Sequence, residues 1–201
     1  MGKNQDHSPL EFSCSCGQLR GQIKADAITL GSHLECYCRD CRAAKLYFDQ
    51  PDPAPGAVDL FQTTPDAITI LTGLDRLGLF RLGPKGVMRW YATCCKTLIV
   101  STPTTPRFPI AMVQVDQIAN HQPIGPVVAK AFVPRPGGKS AHEGFGRIIV
   151  KLLPIIAGSL ISGRWRQTPF FDDTGAPVAK AIIPTKQERA ALYPAQRNIN
   201  G

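Results

Sequence analysis

Cys36-Tyr37-Cys38-Arg39-Asp40-Cys41 gathers three thiols into one short segment, and two tighter clusters flank it: Cys14-Ser15-Cys16 on one side and Cys94-Cys95 on the other. These account for all seven cysteines of the chain. Thiolates so closely spaced converge on a soft metal from a single turn, and zinc takes four such ligands tetrahedrally at about 2.3 Å. As disulfide partners they would be strained, because a disulfide sets its Cα atoms roughly 5.5–6 Å apart in a fixed relative orientation. An odd number of thiols also cannot be consumed by intrachain pairing. The expectation is a zinc protein.

The grouping suggests two ions. Cys14 and Cys16 belong to an early strand-turn, and Cys94 and Cys95 to a turn far along the chain. Joined through one zinc they form a closed, structural four-sulfur site that staples the two turns together. Cys36, Cys38 and Cys41 supply three ligands. That leaves a fourth position for water or substrate, the pattern of a catalytic zinc. His33, three residues before Cys36, is a candidate fourth ligand or proton carrier beside the plainer reading of a loop histidine. Tyr37 and Asp40 read as packing and helix-capping groups.

Composition sets the frame. At 201 residues the chain accommodates one large domain, or a domain with an extension, and 43% hydrophobic residues exclude global disorder. Eighteen Gly and eighteen Pro indicate many turns and short strands. The formal charge of +8 points to an anionic partner without naming it. Aromatics are only 7%, with no aromatic-rich basic stripe, which argues against a nucleic-acid partner. The opening MGKNQDHSPLEF has no apolar signal region, so a reducing, cytoplasmic setting is expected.

Residues 10–118 read as a β domain, with strand-like runs Leu19–Ile23, Ala27–Leu30, Val58–Gln62, Ala67–Leu71, Leu77–Leu82, Val87–Tyr91, Leu98–Val100 and Ile110–Val115 punctuated by turn residues. Asp40–Phe48 is the exception, a short helix starting at the thiol trio, whose N-terminal amides favour thiolate charge. Residues 119–139, rich in proline, read as an irregular connector. Residues 140–195 form a helical extension. Ser140-Ala-His-Glu143 has the capping-box pattern ahead of a helix over His142–Ser162, kinked at Pro154, and Thr185-Lys-Gln-Glu188 opens a second helix that stops before Pro194. The first helix is shorter than a membrane span and interrupted by Lys151 and Pro154. Packing on the β domain or in a homo-dimer is its expected role, with interfacial membrane contact through 145–162 as the alternative.

The motifs Cys14-Ser-Cys16-Gly-Gln-Leu-Arg-Gly, Cys36-Tyr-Cys38-Arg-Asp-Cys41-Arg and Arg89-Trp-Tyr-Ala-Thr-Cys-Cys95 together resemble the glutathione-dependent formaldehyde-activating enzyme (GFA) or centromere-protein-V family, over about residues 10–115. The resemblance implies a mainly β, tent-like (Mss4-like) fold. It implies a structural four-cysteine zinc using Cys14 and Cys16, and a second zinc held by Cys36, Cys38 and Cys41. The third motif departs from the family's Cys-x-x-Cys-Gly: Cys95 falls at its second cysteine and Ala92 at its first. Whether Cys94, Cys95 or both ligate stays open. The activity implied is carbon–sulfur bond formation or cleavage, a lyase or thiol-adduct reaction joining a small thiol such as glutathione to an aldehyde. Arg39, Arg42, Arg20 and Lys45 are near enough in sequence to meet its carboxylates, or are an ordinary solvated surface. A non-catalytic, zinc-stabilised binding module or adaptor with a basic face is the alternative.

Overall fold

The computed structural model describes residues 8–193, and the expected stop at Pro194 lies outside them. The fold is mainly β, with twelve strands among the described residues and a long helix toward the C-terminus. Strands β1 (Leu10–Ser13), β2 (Arg20–Ile23) and β5 (Ile68–Thr72) make a three-stranded antiparallel sheet. The remaining nine form a second sheet. Its members in chain order are β3 (Ser32–Cys36), β4 (Val58–Thr63), β6 (Leu77–Phe80), β7 (Met88–Ala92), β8 (Thr97–Thr102), β9 (Ala111–Gln114), β10 (Ala129–Pro134), β11 (Ser140–Glu143) and β12 (Ala181–Ile182). Their order across the sheet is β11-β10-β3-β4-β9-β8-β7-β6-β12.

Strand alternation distributes the core over both faces of the large sheet. Leu77 and Leu79, Met88 and Trp90, Phe61 and Val113 point into the principal cluster, where they meet Phe12 and Ile23 of the small sheet and Leu19 from the turn between β1 and β2. Trp90 is fully buried, and its indole N–H donates to Thr102 Oγ1 at 2.9 Å. Residues of opposite parity face the other way. Phe80 and Tyr91 pack on Ala43 and Ala44 of helix α2 (Arg39–Tyr47) and on Phe48 just after it, while Leu34, Cys36, Val58 and Leu60 pack against Ile148 of helix α3 (Phe145–Ser162). A domain closed on both faces explains why β7 and β8 are buried at every position.

Several local expectations are corrected. Ala27–Leu30 is not a strand: Ala25–Leu30 forms helix α1, which sends Ala27 and Ile28 into the core. A short apolar run has no period long enough to separate the two states. Gly31 ends it where the backbone passes against Phe61, whose ring would stand 2.2 Å from an added Cβ. The proline-rich connector 119–139 contains β10, which runs parallel to β3 with Ala129 opposite Leu34 and Ala131 opposite Cys36. Ser140–Glu143 is not a capping box. It is strand β11, and Glu143 pairs with Arg135. The helix instead opens from Gly144 at φ 70°, a left-handed position that also admits the close carbonyl of Val128. α3 runs continuously through Pro154. The second capping box does form, Thr185 and Glu188 opening helix α4 (Lys186–Ala191).

Candidate metal centres

The first cluster is built by two turns. After β1 the chain doubles back over Cys14-Ser15-Cys16-Gly17, with the Gly17 amide donating to Cys14 O and the Cys14 amide to Leu19 O. Gly17 takes φ 73°, open to glycine without strain. The Leu19 amide points at Cys14 Sγ, 3.3 Å away, as an amide does to a thiolate acceptor. The second turn is the β7–β8 hairpin loop, tightened by the Lys96 amide on Ala92 O. It presents Cys94 and Cys95 to the first. Ser15 and Thr97 lace the turns together through hydroxyls 2.8 Å apart.

The sulfur geometry is that of a cage. Cys14 and Cys16 stand 3.6 Å apart, Cys14 and Cys94 3.8 Å, Cys16 and Cys94 3.3 Å, and Cys94 and Cys95 3.8 Å. A tetrahedron of sulfurs at the zinc bond length has edges of about 3.8 Å. All four thiols are unpaired, and their Sγ atoms lie within 4.8 Å of one another, so both adjacent cysteines belong to the set. Burial pushes the Cys94 thiol up to about 12, helped by hydrogen bonds with its sulfur neighbours. Burial also opposes ionisation of Cys95, yet hydrogen bonds from Ser15 and Thr97 bring it down to about 5.

The second cluster sits where a strand becomes a helix. Cys36 ends β3, Cys38 caps α2, and Cys41 occupies that helix's first turn. The Cys41 amide donates to Cys38 Sγ at 3.3 Å, so the sulfur serves as the N-cap acceptor. The Tyr37 amide donates to Ala131 O, so β10 also clamps the crossing. Cys41 Sγ lies 3.6 Å from Cys36 Sγ, and the trio falls within 4.8 Å. Hydrogen bonds from Cys36, then Cys41, pull Cys38 down to about 3. The bond with Cys38 pushes Cys36 up to about 11, and those with Cys36 and Cys38 raise Cys41.

The four-sulfur set and the trio could each hold a metal ion. His33 belongs to neither. Its Nδ1 lies 2.7 Å from Gly125 O and its Nε2 2.7 Å from Asp59 Oδ1, so both ring nitrogens are engaged in holding β3 to β4 and to the loop before β10. Of the four cations named from sequence, three have carboxylate partners: Arg42 forms a fork on Asp52, Arg20 reaches Glu11, and Lys45, buried, pairs with Asp116. Arg39 alone is without one among the described residues; it lies over the Tyr193 ring at 5.0 Å. Arg39, Lys186, Arg189, Ala190 and Tyr193 line a cleft of about 440 Å³ beside the start of α2. Asp40 accepts from the Tyr193 hydroxyl rather than capping the helix. Lys186 and Arg189 come from α4, far from the trio in sequence, and no local pattern flags them. Arg89, buried on β7, adds positive charge near Cys38.

Residues 7–182 match a family described as a family of unknown function (DUF6151). The chain belongs to that family. In this DUF6151 member the matched region takes in both cysteine clusters and α3, so the β domain and most of the extension fall within one family unit. No curated protein matches. A crystal structure of a Rhodobacter sphaeroides protein is similar at 16% identity and a TM-score of 0.41, over 58% of this chain and 96% of the other.

Proposed function

We propose that this chain is a cytoplasmic, GFA-like zinc protein that makes or breaks a carbon–sulfur bond in a small thiol conjugate. The observation that carries the proposal is the division of seven unpaired thiols into a four-sulfur cage and a separate three-sulfur set. The donor chemistry fits zinc: all-sulfur ligands, close to tetrahedral edge lengths, and amides aimed at the sulfurs of Cys14 and Cys38. Cys14, Cys16, Cys94 and Cys95 would hold the structural ion, and Cys36, Cys38 and Cys41 the other. A zinc ion held by the trio would lower the pKa of a bound substrate thiol, whose proton would pass to water.

The protein's own groups supply binding and orientation. Arg39, Lys186 and Arg189 furnish three positive charges in the neighbouring cleft, suited to the carboxylates of an anionic thiol such as glutathione. Tyr193, fixed by its bond to Asp40, forms a wall against which that ligand can lie. Arg89 adds fixed positive charge close to Cys38.

Metal quantification on the wild type and on Cys36→Ser, combined with an assay for the adduct of glutathione and a small aldehyde, tests this. Loss of one of two zinc ions with the fold kept, and loss of adduct formation, is expected. Zinc saturated by four protein ligands at the trio, with no turnover, would instead favour a non-catalytic binding module.

A further inference from the structure

Helix α3 presents two different faces. On one, Ile148 is buried in the cluster formed by β3, β4 and β10, and Ser159, also buried, donates to Asp66. Arg164, just past the helix, reaches the same carboxylate at 3.8 Å. On the other, Ile149, Val150, Leu153, Leu160 and Ile161 are exposed, Val150 at 74% and Ile161 at 87%. At 3.6 residues per turn these five fall within a sector about 120° wide. Arg147 and Lys151 stand one turn apart on one side of that sector, about 40° and 80° beyond Ile161, and Arg166 follows the helix, stacked over Trp165 at 4.3 Å. No Asp or Glu occurs between Glu143 and Asp172.

We infer that α3 is a peripheral docking element that lays this apolar face on an anionic lipid surface. An apolar strip with cations along one side and Trp at one end is the chemistry of a helix lying in a bilayer interface, where the strip enters the acyl boundary and the cations meet headgroup phosphates. Against the expectation from sequence, α3 is long and apolar enough to cross a bilayer, but Ile148 on its inner face is packed against protein. A second copy fits less well. A two-fold interface sets the same patch against itself, and this one would oppose Arg147 and Lys151 with nothing acidic from 144–171 to answer them. The burial expected from sequence is met on one face only.

Cosedimentation of the full chain with phosphatidylcholine vesicles, with and without phosphatidylserine, tests the inference. Binding is expected with phosphatidylserine, weakened by salt. The double variant Val150→Asp, Ile161→Asp alters only exposed positions and should lose roughly tenfold or more in vesicle affinity. The double variant Arg147→Gln, Lys151→Gln should lose roughly thirtyfold on anionic vesicles only. Thermal unfolding and metal content serve as fold controls for both. Absence of binding to anionic vesicles, equal binding by the wild type and both variants, or a dimer in ultracentrifugation that the Asp variant dissolves without any lipid association would each overturn it.

Discussion

Cys16 and Cys94, 78 positions apart in the chain, hold their sulfurs 3.3 Å from one another. That contact joins the turn after β1 to the hairpin between β7 and β8, and so ties the small sheet to the large one. A metal at this cage closes a long loop, and its binding free energy becomes folding free energy. Cys16→Ser or Cys14→Ser should cost several kcal/mol, on the order of the whole stability of a domain. Circular dichroism melts, with and without a chelator, will check this. Chelation should lower the wild-type melting temperature by much more than the variant's.

His33 ties β3 to β4 through Asp59 and to the loop ahead of β10 through Gly125 O. Its replacement by Ala should destabilise the fold by about 1–2 kcal/mol, because the contacts with Asp59 and the Gly125 carbonyl are both lost. Metal stoichiometry should not change. Denaturant unfolding read beside zinc content separates these, and a lost equivalent of zinc would make His33 a ligand after all.

Arg39 is exposed and has no carboxylate partner among the described residues, whereas Arg42 is committed to Asp52. Arg39→Ala should therefore weaken binding of an anionic thiol by about 1–2 kcal/mol with little loss of stability. Arg42→Ala should do the reverse, with a small stability loss suited to a half-exposed pair. Calorimetric titration with glutathione, alongside melting curves, distinguishes the two.

Glu188 accepts from the Thr185 amide in the capping box of α4, and that bond holds its carboxyl below the usual 4.5. The sign follows directly. A lowered folded-state value stabilises α4 above pH 4.5, and the contribution disappears as the pH falls through the lowered value. α4 carries Lys186 and Arg189 of the cleft, so acidification should fray the helix and loosen anion binding together. Amide exchange at 186–191, followed down the acid range, should accelerate there in the wild type but not in Glu188→Gln.

Parts of this architecture are visible in local pattern. The strands around Phe61, Trp90 and Val100 show through because each carries several apolar or β-branched residues bounded by turns. Helix α2 shows through because Asp40–Phe48 is a helix-forming run, although its cap is the Cys38 sulfur and not the expected Asp40. β3 and β10 do not. Ser-His-Leu-Glu-Cys has no β-branched residue, and Ala129–Pro134 lies among prolines; β3 becomes a strand between β4 and β10, and β10 between β3 and β11. Glu143 shows the same limit: it completes a capping pattern on paper but pairs with Arg135 once β10 and β11 meet.

By itself, the sequence determined which thiols cluster locally as candidate metal ligands, because thiol spacing along a turn is a local property. It also determined the apolar run of α3 and the capping box at Thr185. Only the tertiary structure decided that Cys94 and Cys95 both join Cys14 and Cys16, that His33 is spent on Asp59 and Gly125, and that α4 brings two cations to Arg39. Those outcomes depend on which distant segments share a sheet or a cleft. Pairing energy of that kind is set by the burial and hydrogen bonding of the whole fold, and no window of neighbouring residues contains it.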